Sequence, residues 1–112
     1  MPRILLVEDD TAVRLLFIEI LFDAGHEVDA VQSFAAGAAI LDSGAPLDLL
    51  ITDGKFADGS GTGLADKAHR RGMPALIITG NDIDIDGKRY RVLTKPMRPA
   101  ALLAAVQAAL GS

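Results

Sequence analysis

Short runs of consecutive apolar residues alternate along the chain with stretches in which apolar positions recur every three or four residues. Residues 4–7 (ILLV) are apolar throughout, which suits a parallel strand covered on both faces. Asp10 or Thr11 is placed to cap a following helix, in which Val13, Leu16, Phe17, Ile20 and Leu21 share one face and Gly25 is the stop. Residues 27–31 (EVDAV) alternate like a strand with one wetter face, as expected near a sheet edge. Ser33 caps a second helix that runs to residue 43 and ends at the GAP of residues 44–46. Residues 47–52 and 75–79 predict two further strands, with a helix over 61–71 between them closed by Gly72. Residues 92–94 predict a short fifth strand, and residues 100–110 a last helix with Leu102, Leu103, Val106 and Leu110 at core spacing.

This alternation of strand and helix implies an α/β fold, a doubly wound parallel sheet with right-handed crossovers, in one domain over residues 1–112. One interval breaks the pattern. GNDIDIDGKRYRVLT, residues 80–94, gives only fifteen residues for a loop, a helix, a second loop and a strand. Two glycines and three alternating aspartates also discourage a helix there. Helix 4 is therefore expected to be reduced or absent, and residues 80–90 to be the mobile element.

Composition narrows the class. Half of the 112 residues are hydrophobic, enough for one modest core. The apolar runs are too short to span a bilayer, and MPRILLVEDD is not a signal peptide. With no cysteine there is neither a disulfide framework nor a thiolate metal site, and a cytoplasmic protein is expected. A net charge of −4 argues against nucleic acid or an anionic membrane as the main partner.

Ligands of open α/β sheets bind outside the carboxyl ends of the strands, so the polar residues at those ends can be pooled. The first strand ends in Glu8, Asp9 and Asp10, the third in Asp53 and the fourth in Thr79, while Lys95-Pro96 follows the fifth. Close carboxylates repel by on the order of 1–4 kcal/mol per pair at about 4 Å. A raised pKa, the lysine or a divalent cation must offset this, and oxygen ligands favour a hard ion such as Mg²⁺. A hard cation, an ammonium and a free carboxylate together suit the receipt of a phosphoryl group.

ILLVEDD, LLITD, LIITG and LTKP occur in this order across nearly the whole chain. The arrangement resembles the receiver domains of two-component response regulators. The resemblance implies a flavodoxin-like sheet of five parallel strands in the order 2-1-3-4-5, and a cis Lys95–Pro96 bond that aims Lys95 inward. It implies that Asp53 is the phosphoacceptor and that Asp9 and Asp53 bind Mg²⁺ with the Lys55 backbone carbonyl. Glu8 would act through a metal-bound water, and Lys95 and Thr79 would contact the phosphoryl oxygens. The donor would be a sensor histidine kinase or a histidine phosphotransfer protein. The domain would not be an enzyme in the ordinary sense, though it would catalyse its own phosphorylation and hydrolysis. With no DNA-binding or enzymatic output segment after Ser112, it would signal by protein contact or phosphate diversion, with an excised piece of a larger regulator as the alternative.

Two positions depart from the family pattern. Ala57 stands where a proline is usual, which predicts a looser loop beside the phosphate. Val92 stands where a switch aromatic is usual; Tyr90 lies two residues earlier, and a regular register is read as turning it to the opposite face. Whether Tyr90 substitutes is open. The alternative function is therefore a degenerate receiver, a binding module independent of phosphorylation. A haloacid-dehalogenase-type phosphatase is disfavoured because Lys55 occupies the place of its second aspartate. GSGTG at 59–63 and DIDIDG at 82–87 are read as loop sequences rather than as dinucleotide or calcium motifs. His26 and His69 are expected to be solvated, with no ligand role.

Overall fold

A computed structural model describes residues 1–80 and 90–111 of the chain. The elements run β1 (Arg3–Val7), α1 (Thr11–Asp23), β2 (Glu27–Val31), α2 (Phe34–Asp42), β3 (Leu49–Asp53), β4 (Lys55–Phe56), β5 (Gly59–Ser60), α3 (Gly61–Arg70), β6 (Ala75–Thr79), β7 (Arg91–Thr94) and α4 (Pro99–Leu110). Five strands form a parallel sheet in the order β2-β1-β3-β6-β7, while β4 and β5 make a separate two-stranded hairpin. With the hairpin left out, this is the expected 2-1-3-4-5 order of a flavodoxin-like sheet. Four helices occur among the described residues, which fits a reduced fourth crossover. Residues 81–89, on which that expectation, the proposed mobility and the DIDIDG reading fall, lie outside the described residues.

Alternate residues of the fully covered strands feed two cores, because successive side chains point to opposite faces. Ile4, Leu6, Ile51, Leu76 and Ile78 pack with Phe17 and Leu21 of α1 and Leu102 and Val106 of α4. Leu5, Val7, Leu50 and Ile77 pack with Leu41 of α2 and Leu64 and Ala68 of α3. Each such leucine or isoleucine contributes about 1.5–3 kcal/mol on burial, so both helical layers are held by the sheet between them. The edge position of β2 accounts for its wetter pattern. Leu16, expected on the core face of α1, is 52% exposed and stands with exposed Leu15.

The helix signals match the local geometry. The Asp10 carboxylate accepts from Val13 N–H at 3.0 Å, and Ser33 Oγ from Ala36 N–H at 3.1 Å. Gly25, Gly44 and Gly72, the expected stops, have φ of 92°, 76° and 72°. The third strand starts and ends later than expected, so that Asp53 is its last residue and pairs with Ile78.

His26 corrects an expectation. It is buried, and its Nδ1 has no hydrogen-bond partner among the described residues. Its backbone N–H, at the foot of β2, is bonded to Leu21 O at 3.1 Å, and its side chain is buried rather than solvated.

Candidate functional site

Parallel strands in register end together, and here the ends of β1, β3 and β6 bring the acidic residues to one edge. Val7 pairs with Thr52, Asp53 with Ile78 and Thr79 with Thr94. One carboxylate oxygen from each of Glu8, Asp9 and Asp53 lies within 4.8 Å of the others. Glu8 is almost fully buried, Asp53 half-buried and Asp9 exposed, so the cluster opens to solvent on the Asp9 side.

Lys95 closes the cluster from the far strand. Its N–H donates to Thr79 O at 2.8 Å and the Lys95–Pro96 bond is cis. Its Nζ donates to Glu8 Oε1 at 2.7 Å and stands 3.7 Å from Asp53 Oδ2. Glu8 Oε2 accepts from Asp10 N–H at 3.1 Å, and Asp53 Oδ1 from Gly54 N–H at 2.7 Å. Arg14 of α1 donates to the Glu8 backbone carbonyl at 2.9 Å, holding the acidic turn against the helix. The stem of Lys95, with Val13, Leu16, Phe17, Pro96 and Met97, lines an adjoining groove of about 200 Å³.

These contacts set the electrostatics. Burial pushes the Glu8 carboxyl above its ordinary range, opposed by the bonds from Lys95 and the Asp10 N–H. Burial likewise raises Asp53, opposed by the Lys95 charge and the Gly54 N–H. Burial alone would lower Lys95, but the Glu8 bond and the charges of Glu8, Asp53 and Asp9 outweigh it and raise the ammonium's pKa. The site thus keeps its cation, while its carboxylates carry a burial cost that Lys95 and the backbone N–H groups offset only in part.

The residues fit a hard divalent ion. All donors are oxygens, and three carboxylates meet around one point. Because both Glu8 oxygens already accept hydrogen bonds, Asp9 and Asp53 have the freer ligand atoms. Of the residues singled out from sequence, Glu8, Asp9, Asp53 and Lys95 come together. Thr79 is buried on the neighbouring strand end, and Lys55 is exposed at the start of the hairpin.

The loop after Asp53 is not the loose segment expected from Ala57. Lys55 pairs with Ser60 and Phe56 with Gly59, Gly61 N–H donates to Gly54 O at 3.0 Å, and Phe56 is buried. The sequence offered Asp58-Gly59 as turn residues, but strands of two residues are too short to show an alternation. Tight hairpins favour turns with positive φ at the central residues, and neither Ala57 nor Asp58 has one.

Tyr90 is also corrected. Two residues are a full strand period, so it shares the face of Val92 rather than opposing it. Its ring packs in the core beside α3, its hydroxyl bonds to Asp66, and it meets His69 edge-on at 6.4 Å between centroids. It precedes Arg91, which pairs with Leu76, so it lies about 13 Å down the strand direction from the Thr79 end at 3.3 Å per residue. Tyr90 does not occupy the place of the missing aromatic, and Val92 there is 38% exposed.

Comparison with known proteins agrees with this geometry. The response regulator receiver domain family matches residues 4–107. The transcriptional regulatory protein FixJ of Azorhizobium caulinodans is 34% identical over 94% of the chain, and the chain spans about half of that protein's length (53%). A response regulator receiver protein from Sinorhizobium medicae superposes with a TM-score of 0.92 at 32% identity, covering 99% of this chain and 95% of its own. A CheY-like receiver domain protein from Methanospirillum hungatei gives 0.88 at 30% identity, covering 99% and 94%. No helix among the described residues is long and apolar enough to cross a membrane. Fold, acidic cluster and relatives converge, and the chain belongs to the response regulator receiver domain family, the signalling module of two-component systems.

Proposed function

We propose that this receiver accepts a phosphoryl group on Asp53 from a phosphohistidine of a sensor kinase or phosphotransfer protein and signals by protein contact. The observation that carries the reading is the meeting of Glu8, Asp9 and Asp53 with Lys95 Nζ 2.7 Å from one carboxylate and 3.7 Å from another. Asp9, Asp53 and the Lys55 carbonyl would hold Mg²⁺, with Glu8 acting through water. The ion supplies neutralisation of charge on the transferring oxygens. An Asp53 carboxylate oxygen attacks phosphorus as the phosphorus–nitrogen bond of the donor breaks, and the imidazole leaves with the electron pair. Lys95 exchanges its bond to Glu8 for one to a phosphoryl oxygen, and the Thr79 hydroxyl reaches another. Attack of water on the acyl phosphate later regenerates Asp53. The net charge of −4 supports a protein partner over nucleic acid or an anionic membrane.

The test uses acetyl phosphate or beryllofluoride with Mg²⁺, read by intact mass and NMR shifts. A gain of one phosphate, abolished in Asp53→Asn, is the expected result. Release of many equivalents of phosphate without build-up would indicate a phosphatase instead. One observation favours a second reading: the switch aromatic is absent at Val92 and Tyr90 is engaged elsewhere. A binding module independent of phosphorylation predicts no mass gain and no shifts at all.

The donor would approach over the exposed Leu15 and Leu16 of α1, beside the groove that ends at Lys95. Leu16→Asp is expected to slow uptake from a phosphohistidine protein about tenfold by removing one well-placed apolar contact. Uptake from acetyl phosphate should be unchanged, and equal slowing of both routes would place Leu16 in the chemistry instead of the docking.

A further inference from the structure

The Lys55–Ser60 hairpin is too short to hold its own orientation. Two strands of two residues are marginal without packing, and an isolated hairpin gains little stability in water. Its base is fixed to the sheet, because Gly54 N–H donates to Ile78 O at 3.0 Å and Gly61 N–H returns to Gly54 O at 3.0 Å. Its tip is fixed to a different element. The Asp58 carboxylate accepts from Phe34 N–H through Oδ1 and from Ala35 N–H through Oδ2, both at 3.1 Å. These are the first two N–H groups of α2, which have no partner within the helix, and Ser33 serves the third. The negative carboxylate also complements the positive end of that helix. The Phe34 ring lies against Gly59, filling the space where a Cβ would come within 2.4 Å of it. Hairpin tip and helix start are therefore locked to each other by two hydrogen bonds and one ring contact.

We infer that Asp58 is a positioning residue for the metal site, tethering the hairpin tip to α2 so that the Lys55 carbonyl is held in its ligating direction. The inference rests on the proposed Mg²⁺ site. It also accounts for Ala57: where a proline would stiffen the loop from within, this chain stiffens it from outside, through Asp58 and Phe34. Residues that orient metal ligands without touching the ion commonly change its affinity by about tenfold or more.

The experiment measures Mg²⁺ affinity by NMR titration of the wild type, Asp58→Ala and Asp58→Asn, with hydrogen exchange at the Phe34 and Ala35 amides. Asp58→Ala should bind Mg²⁺ about tenfold more weakly and lose protection at both amides. Asp58→Asn keeps an acceptor oxygen without the charge and should recover part of both losses. Equal weakening in the two variants would mean that only the charge matters, which overturns the tether. Unchanged Mg²⁺ affinity in Asp58→Ala, with the two amides unprotected, would reduce Asp58 to a helix cap and also overturn it. Should Asp58→Ala fail to fold, Asp58→Ser and Asp58→Asn carry the same comparison. Failure of the wild type to bind Mg²⁺ at Asp9 and Asp53 would overturn the functional reading itself, and is distinguished by that first titration.

Discussion

Lys95→Met is expected to destabilise the protein by about 2–3 kcal/mol at pH 7, and the deficit should shrink as the pH is lowered. Removing one partner of a buried pair costs about 3–5 kcal/mol because the other charge is left uncompensated. Glu8 is that other charge, its side chain 2% exposed. Lys95 is 23% exposed, so water screens part of the interaction and the lower figure applies. The melting temperature should fall by about 10 °C for a domain of this size.

The pH dependence follows from the directions of the shifts. The Glu8 and Asp53 carboxyls are both raised, mainly by burial, so their ionised forms cost stability and the cost grows as pH rises through the folded values. Lys95 is raised above its ordinary 10.5. Its contribution is complete below that value and is lost only as pH climbs through the higher folded value. Without Lys95, Glu8 loses its strongest opposing influence and its carboxyl rises further. Mild acid then protonates it and removes the penalty. Chemical denaturation at pH 5 and pH 8 measures this, and Glu8→Gln in the Lys95→Met background should recover most of the loss at pH 8. An identical deficit at both pH values, unrelieved by Glu8→Gln, would show that the pair does not carry the energy.

Most of the architecture was legible because the burial pattern leaves few alternatives. A run such as ILLV that is apolar throughout suits a strand covered twice, and glycines one or two residues after the helices mark their ends. From the strand ends alone, Glu8, Asp53, Thr79 and Lys95 fall on one edge, and the resemblance gave them roles. What stayed hidden depends on contacts between distant segments. No local pattern announces that Asp58 accepts from Phe34 and Ala35, twenty-four and twenty-three residues away. The hairpin's strands are only two residues each, too short to read as strands, so Ala57 suggested a loose loop. Leu16 failed differently: α1 is apolar nearly all round, and periodicity cannot then choose which side the sheet covers. His26 failed because a residue beside a turn glycine is usually wet, whereas here its side chain is buried.

Gly61→Ala tests whether the chain geometry around Asp53, rather than its carboxylate alone, is needed. A Cβ at Gly61 would lie 2.0 Å from the Asp53 carbonyl oxygen and 3.0 Å from the Gly54 Cα. Both are backbone atoms, so no side-chain rotation relieves the clash; the turn that carries Asp53 must itself move. The Gly61 N–H bond to Gly54 O, which closes the loop, would be strained with it. Overpacking of this kind costs about 3 kcal/mol or more. The expected functional loss is larger, since a misplacement of about 1 Å at a reacting group costs about a hundredfold in rate. Phosphate uptake from acetyl phosphate should therefore fall about a hundredfold even at temperatures where the variant remains folded. Gly63→Ala is the matched control, two residues further along α3. There the added Cβ would meet the edge of the Phe34 ring at 3.1 Å, so the control disturbs the Phe34 contact with Gly59 but meets no backbone atom beside Asp53. The helix-forming advantage of alanine, about 1 kcal/mol, should roughly offset that contact. Near-normal uptake in Gly61→Ala would mean that the loop tolerates displacement and that Asp53 is positioned by its strand alone. A fall confined to Gly61→Ala would instead place the constraint where Asp53 and the start of α3 touch, making the glycine eight residues after Asp53 a requirement of the proposed chemistry as well as of the fold.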